Sequence, residues 1–406
     1  MSKKLQPVRG TKDLLPDEQD KFNAIIDMAK HVSTLYGFRE MNTPIFEATE
    51  VFQRSIGETS DIVSKEMYTF ESKGGESLTL RPEFTAGIVR AFISNGMQQD
   101  LPLKLFSYGP LFRYERPQKG RQRQFHQVNF EWLGNETPMA DIEMIAMADK
   151  LLKKLGIKDY TVEINSLGSK ESRAKYIDAL KKYLSDKKDQ LSEDSKVRLE
   201  KNPLRILDSK DEGDKKLLKN APIIIEYLSD EDKAFLEKVE EGLKLLSINY
   251  KVNDKIVRGL DYYNDVVFEF VSTSDDVGAQ NTILAGGRYD GLVSGMGGGD
   301  VPAVGFAAGI ERLALLADAG KYIDPITAIL PGDGEEEESS FLIADRVREA
   351  GFSAEIYVGG NFNKRMKKAN KAGADLIIIV KGGKAEDFKF DTQFGEDKAK
   401  KIKEVL

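Results

Sequence analysis

Cysteine is absent from the 406 residues, which excludes disulfides, thiolate nucleophiles and cysteine-ligated zinc or iron–sulfur centres. Histidine is nearly absent as well. His31 and His126 are the only two, so a multi-histidine metal cage and a repeated histidine relay are excluded, and no protein-held metal is expected. No apolar run reaches the roughly 18 residues of a membrane span, and the opening Met1-Ser-Lys-Lys-Leu-Gln-Pro has no apolar signal core. These absences predict a soluble, cytoplasmic protein with no membrane partner. Glycine loops for nucleotides are missing too. Gly168-Ser-Lys-Glu lacks the rest of a Gly-x-x-x-x-Gly-Lys-Ser/Thr loop, no Gly-x-Gly-x-x-Gly follows a strand, and the acids after Gly332 would repel a pyrophosphate. A nucleotide bound here would be held by arginines and metal ions instead.

What is present is globular in kind, with 40% hydrophobic and 31% charged residues. The length suggests two or three domains at roughly 100–200 residues each. A formal charge of −7 argues against coating nucleic acid non-specifically, while leaving room for a local basic patch. Phe22, Ile25, Ile26, Ala29, Val32 and Tyr36 recur at helical spacing, with Pro16, Asp17 and Glu18 at the start and Gly37 at the end. The segment 101–133 reads as two extended runs around a polar loop. In the second, Val128, Phe130 and Trp132 alternate with Gln127, Asn129 and Glu131, which puts apolar and polar sets on opposite faces. A helix is expected over 140–155. The charged stretch 170–250 reads as an inserted helical module with solvated faces, and strand character returns at 256–270. From Ile326 onward, strand-like and helical runs alternate as βαβαβ, predicting a small α/β domain over 326–406 with its boundary near Asp324-Pro325.

Several segments carry candidate chemistry. Between Phe112 and Arg123 lie Arg113, Arg116, Lys119, Arg121 and Arg123, with Glu115 the sole anion; a hairpin loop that basic suits phosphate oxygens or a nucleic-acid backbone. The bland alternative is a solvated hairpin tip. In Ile256–Phe270 a lone Arg258, Asp261, Tyr262 and Tyr263 interrupt an apolar stretch, which is costly unless they are paired or functional; an Arg258–Asp261 ion pair is the structural alternative. Glu83 and Thr85 open a helix, where plain capping would also explain them. Arg312 falls on the first turn of a helix after Gly305 and Gly309, otherwise a surface arginine. His31 reads as a surface residue and His126 as a supporting residue on the hairpin strand. In the last domain Lys364, Lys367, Lys368 and Lys371 share one helical face, either solvated or fitted to a phosphate backbone.

Taken together these segments resemble the class II aminoacyl-tRNA synthetases, and within them the histidyl-tRNA synthetase family, over nearly the whole chain. Arg9-Gly-Thr-Lys-Asp-Leu-Leu-Pro is similar to the family's opening, Gly37–Glu47 to its dimer-forming motif 1, the 112–131 hairpin to motif 2 and 305–313 to motif 3. Arg258-Gly-Leu-Asp-Tyr-Tyr resembles the signature peculiar to the histidine enzymes and is the most specific match. The resemblance implies an α+β fold: an antiparallel sheet flanked by helices over 1–325, a helical insertion at about 170–250, and a C-terminal anticodon-binding-like α/β domain. It implies L-histidine, ATP with Mg2+ and tRNA(His) as ligands, and a homodimer.

By the same resemblance, Arg113 and Arg312 hold ATP phosphates, with Glu115, Arg121 and Arg123 around the nucleotide. Glu83, Thr85 and Gln127 hold the amino group of histidine. Glu131 and Tyr263 bond the imidazole nitrogens, and Tyr262 walls the pocket. Arg258 lies between the histidine carboxylate and the α-phosphate, and acts with Arg113 as a catalytic group. Gln118, Arg123, Lys364, Lys367, Lys368 and Lys371 face tRNA. Phe84 stands where bacterial members commonly have glycine, which predicts a narrower pocket beside Glu83; Asp265 and Val266 depart from the pattern with little expected effect. The rival readings are a regulatory paralogue without ligase activity, a class II synthetase for another amino acid, and a tRNA-binding protein.

Overall fold

The computed structural model describes residues 4–57, 60–118, 120–274, 281–318, 326–332, 337–390 and 393–406. The chain divides into two compact units, 1–321 and 322–406. The expected boundary at Asp324-Pro325 and the loop cation Lys119 lie outside the described residues.

The first unit begins with α1 (Pro16–Leu35), β1 (Arg39–Glu40), β2 (Phe46–Ala48), α2 (Thr49–Ile56), β3 (Tyr68–Glu71), β4 (Ser77–Leu80) and α3 (Thr85–Ser94). It continues through β5 (Leu103–Phe112), β6 (Gln124–Leu133), α4 (Pro138–Lys154), β7 (Tyr160–Ser166), α5 (Lys170–Ser185), α6 (Glu193–Lys201), α7 (Glu212–Leu218) and α8 (Asp230–Leu245). It closes with β8 (Tyr250–Val252), β9 (Asn264–Ser272), β10 (Thr282–Arg288), α9 (Leu292–Gly295), β11 (Ala303–Gly309) and α10 (Ile310–Leu316).

Eight strands form one sheet in the order β1-β5-β6-β11-β10-β9-β7-β8, antiparallel except at the two edge pairs, where β1 runs parallel to β5 and β8 to β7. α1 starts at Pro16, whose missing N–H costs nothing in a first turn, and it buries Phe22, Ile25, Ala29 and Val32. Those side chains join Val128, Phe130 and Trp132 of β6 and the apolar stripe of α4 in the main core. Phe130 stacks on Phe306 at 4.7 Å between ring centres, tying β6 to β11. The alternation in β6 therefore has a direct consequence: one face is core, and the other is left to line a cleft.

Two expectations need correction. Strand structure does not begin at residue 256; Arg258–Tyr263 form a turn, and β9 starts at Asn264. The inserted module also ends earlier than residue 250. α8 packs on α4, with Leu236, Val239 and Leu243 in the main core, and Gly242 approaches Ile142 so closely that a Cβ would lie 2.3 Å from its side chain. β8 then joins the sheet, so the insertion proper is α5–α7. Its charged faces are exposed as expected, while Leu180, Leu184, Leu199, Leu204 and Ile206 bury into a second cluster.

Two similar serine–aspartate knots tie these helices together. Asp232 accepts from the Ser169 N–H at 3.1 Å, the Ser229 N–H at 3.1 Å and the Ser172 hydroxyl, joining the starts of α5 and α8. Asp214 accepts from the Ser192 N–H at 2.9 Å and from the Ser195 and Ser209 hydroxyls at 2.6 Å, joining α6 and α7.

The second unit contains β12 (Thr327–Pro331), α11 (Glu337–Glu349), β13 (Ala354–Ile356), α12 (Phe362–Lys371), β14 (Leu376–Lys381), β15 (Lys384–Lys389) and α13 (Gln393–Lys403). Its sheet runs β13-β12-β14-β15, with β12 parallel to both neighbours and β15 antiparallel at the edge. β15 escaped the sequence reading because Lys384-Ala-Glu-Asp-Phe-Lys is charged, as exposed edge strands often are. Lys364, Lys367, Lys368 and Lys371 are exposed on α12, whereas Arg365 is buried and donates to the carbonyls of Gly360 and Pro331.

For the Asp232 knot, burial alone would raise the carboxyl's pKa, but the hydrogen bonds led by Ser172 outweigh it and the group sits below its ordinary value. Such a group stabilises the fold above the unfolded pKa of about 3.9 and loses that contribution as pH falls through the folded value. Asp232→Ala is expected to cost about 1–3 kcal/mol in denaturant unfolding at neutral pH. The difference should shrink on acidification, and a pH-independent difference would contradict the account.

Candidate active site

A cleft of about 470 Å³ opens on the face of the sheet away from α1 and α4. Its floor is made of small residues. On β11, Gly305, Ala307 and Gly309 lie opposite Glu131, Asn129 and Gln127 of β6, so the polar residues project into space that the neighbouring strand leaves empty. The need for glycine is sharpest at 305, where a Cβ would lie 1.6 Å from a carboxylate oxygen of Glu131.

Glu131 is 1% exposed. One oxygen accepts from the Thr85 hydroxyl and from the Asn129 amide at 2.8 Å, and the other accepts from the Tyr289 hydroxyl. All three donors are neutral. Burial lifts the Glu131 pKa to about 7 against these hydrogen bonds, and Glu83 adds to the rise. One lone pair remains for a further donor entering the cleft. Glu83 is also buried, and its carboxylate receives the N–H groups of Thr85 at 2.6 Å and Ala86 at 2.7 Å at the start of α3. Burial raises its pKa; the helix N–H groups and Arg113 oppose the rise. Capping and pocket lining are therefore one arrangement here. Tyr262, Tyr263 and Tyr289 pack in tilted and T-shaped contacts around these acids, with ring centres 4.7–6.4 Å apart, and burial holds all three phenols above their usual pKa.

The cleft also holds cations, and Arg258 lies over the Tyr263 ring at 5.2 Å. Arg258 pairs with Glu269 rather than with Asp261, and its Nε is buried without a hydrogen-bond partner. Arg113 on the hairpin donates through Nε to the Pro82 carbonyl at 2.9 Å and lies over the Phe125 ring. Arg312 donates to the Thr282 carbonyl; burial depresses its pKa, and nearby Arg121 and Arg113 add to that effect. Like charges brought this close raise the affinity of the space between them for an anion. The hairpin tip turns tightly through Gln118 and Arg121, whose backbones exchange hydrogen bonds of 3.0 and 2.9 Å, and Arg121 pairs with Glu115.

The chain is similar to known proteins over most of its length. The family model described as Histidyl-tRNA synthetase matches residues 10–313. The histidine–tRNA ligase of Rickettsia bellii is 52% identical over 384 residues, covering 94% of this chain and 92% of its own. The chain belongs to the histidyl-tRNA synthetase family. The ligase of Wolbachia pipientis from Culex pipiens is 53% identical over 92% of this chain and 91% of its own length. Among solved structures, the apo histidyl-tRNA synthetase of S. aureus is 33% identical, with a TM-score of 0.75 over 93% of this chain and 91% of that one.

In this family member Glu83, Thr85, Arg113, Glu115, Arg121, Gln127, Glu131, Arg258, Tyr262, Tyr263 and Arg312 all line the one cleft. Gln118 and Arg123 are not among its lining residues. Arg123 stacks over the Tyr114 ring at 3.9 Å, donates to the Glu115 and Arg9 carbonyls, and gives its own N–H to the Gly10 carbonyl at 2.7 Å. Gly10 has a φ of +88°, and a Cβ there would lie 2.7 Å from the Arg123 side chain. His126 supports Glu311, to which its N–H donates at 3.0 Å, and His31 is exposed on α1. Phe84 is buried beneath the Arg81 guanidinium and lines the cleft beside Glu83.

Sequence reasoning assigned no role to Tyr289, Asn129 or Glu269. Asn129 already shared the polar face of β6 with Glu131. Tyr289 lies in Gly286-Gly-Arg-Tyr-Asp-Gly, which is similar to the family, but no role followed because its link to Glu131 crosses 158 residues. Asp265 is more constrained than expected, with a φ of 50° and a pKa raised by burial to about 7.

Between the ordinary carboxylate pKa and about 7, folded Glu131 holds a proton that the unfolded chain has lost, so rising pH removes stability. Glu131→Gln carries no such charge. Its melting temperature is expected to gain on the parent's between about pH 5 and about pH 8. A flat or shrinking difference would argue against a buried carboxylate without a cation.

Proposed function

We propose that the chain activates L-histidine with ATP, forming histidyl-adenylate and pyrophosphate, and then transfers the histidyl group to the 3′ end of tRNA(His). One observation carries this reading: arginines from three separated segments, Arg113, Arg258 and Arg312, line the same cleft as a buried Glu131–Tyr263 slot of aromatic and acidic side chains. The imidazole N–H donates to the free lone pair of Glu131, and the Tyr263 hydroxyl serves the other ring nitrogen. Glu83, Thr85 and Gln127 receive the amino group.

A histidine carboxylate oxygen attacks the α-phosphorus as the bond to the pyrophosphate oxygen breaks. Arg258, with its free Nε, stands where charge builds on the α-phosphate, and Arg113 and Arg312 balance the departing pyrophosphate. Fixed guanidinium groups need no reorganisation during the step. No side-chain nucleophile is required, in keeping with a chain that has no cysteine. The adenylate then passes its acyl group to the terminal ribose hydroxyl of tRNA. A site with polar groups at both ring nitrogens rejects non-bonding analogues by about 10⁴–10⁵, so a separate editing site is unnecessary.

Mg2+ enters with the nucleotide. Among the described residues no three His, Asp or Glu side chains cluster as ligands. Glu269 and Glu311 of the cleft already accept from Arg258, Thr282 and His126. Mg2+ keeps waters and phosphate oxygens readily, and no step above depends on a protein cage for it.

The exposed lysine face of α12 suits the tRNA backbone and supports an anticodon-binding role for the second unit, with Gln118 and Arg123 ordering the hairpin near the acceptor end. The exposed Ile45 and Phe46 of the motif 1 segment, with Phe70 packed against Phe46, support a homodimer. Among the described residues no helix is long and apolar enough to cross a membrane, in keeping with work in the cytoplasm. Solution size and the salt dependence of tRNA binding check the dimer and the lysine face.

ATP–pyrophosphate exchange with each amino acid in turn tests the function. Exchange with histidine alone is expected; exchange with another amino acid would move the specificity, and none at all would favour a binding protein. Arg258→Ala is expected to slow adenylate formation about 10²–10³-fold with tRNA affinity nearly unchanged. Glu131→Gln should raise the KM for histidine about 10-fold or more and leave that for ATP alone. Equal losses in both Arg258→Ala assays, or a Glu131→Gln effect confined to ATP, would misplace the site.

A further inference from the structure

The turn Arg258–Tyr263 carries four of the cleft's side chains, those of Arg258, Leu260, Tyr262 and Tyr263, yet it makes no strand pairing of its own. Its backbone is held from the inserted helices instead. Arg205, in the short helical turn Pro203–Ile206, donates through Nη2 to the Gly259 carbonyl at 2.6 Å and to the Asp261 carboxylate at 3.2 Å. Asn202 donates to the same carboxylate oxygen at 3.0 Å. Arg173 on α5 donates to the Tyr263 carbonyl at 2.6 Å. On the far side, the Asp261 N–H donates to the Ile56 carbonyl at 3.2 Å. The Arg205 side chain is only 11% exposed, although the Gly259 carbonyl it binds lies at the surface.

The charges are matched to this task. Asp261 faces inward to the module rather than to Arg258, which leaves Arg258 to Glu269 and the cleft. The arginines assigned to the terminal phosphates sit elsewhere, on the β5–β6 hairpin and on α10. Displacing the module would therefore disturb Tyr263 and Arg258, which lie together at 5.2 Å, and leave the hairpin and α10 arginines where they are.

We propose that the inserted module is a positioning element of the histidine site: Arg205, through Gly259 and Asp261, fixes the turn that aims Arg258 and Tyr263. This rests on the histidine-activating reading and adds that histidine affinity depends on where the module sits. Arg205 touches no substrate, so its effect must appear as a split between substrates rather than as a general loss.

The test is histidine-dependent ATP–pyrophosphate exchange with the full chain. Arg205→Ala is expected to raise the KM for histidine about 10-fold or more while the KM for ATP stays near the parent's. Arg205→Lys, which keeps one charged donor, should recover part of the loss. Arg205→Ala combined with Asp261→Ala should lose less than the sum of the two single variants, because both remove the Arg205–Asp261 bond. Lys188→Ala, on an exposed ion pair of the same module, should match the parent. If Arg205→Ala fails to fold, Arg205→Lys and Asp261→Asn carry the same split at smaller size.

An unchanged KM for histidine, equal rises for both substrates, or additive losses in the double variant would each overturn the proposal. Absence of exchange in the parent would instead strike the functional reading, and the inference would fall with it.

Discussion

A carboxylate buried without a cation is the constraint on which the Glu131 side of the cleft depends. Glu131 is held by the hydroxyls of Thr85 and Tyr289 and the amide of Asn129, from α3, the β10–β11 connection and its own strand. A cationic partner would have satisfied it and closed it to a ligand. Neutral donors hold its direction while leaving it poorly compensated, so an incoming N–H is worth more there than in water. The surrounding architecture follows from that choice. Gly305 makes room for the carboxylate, and the tyrosines pack around it.

Much of this was legible in the residues themselves. The period of two in β6 separated core from cleft, and Pro16, Asp17 and Glu18 marked the start of α1. The convergence of Arg113, Arg258 and Arg312 was not legible from composition or spacing, because no local pattern says that three distant arginines meet. The likeness to the synthetase family supplied that expectation. Where local pattern failed, a long-range contact had overridden it. α8 looks like the rest of the charged module, but Leu236, Val239 and Leu243 attach it to α4. The apolar residues after Ile256 look like strand, but inserted arginines bend Arg258–Tyr263 into a turn before β9 begins. Tyr289 and Glu269 were overlooked for a related reason: each matters through one partner that is remote in sequence or easily read as ordinary strand polarity.

The two serine–aspartate knots show how a helical module with few apolar residues is kept in shape. Each uses one carboxylate to satisfy several donors at paired helix starts, where N–H groups would otherwise lack partners. The module thereby gains definition without a large core of its own and can leave its charged faces in water.

The stapling of the hairpin to residues 9 and 10 matters for anyone handling the protein. Arg123 is clasped by the Gly10 and Arg9 carbonyls, and the backbone at Gly10 has no space for a side chain. A purification tag fused just upstream would tug on the clasp that orders the same hairpin as Arg113 and Arg121. Carboxyl-terminal fusions leave that clasp alone.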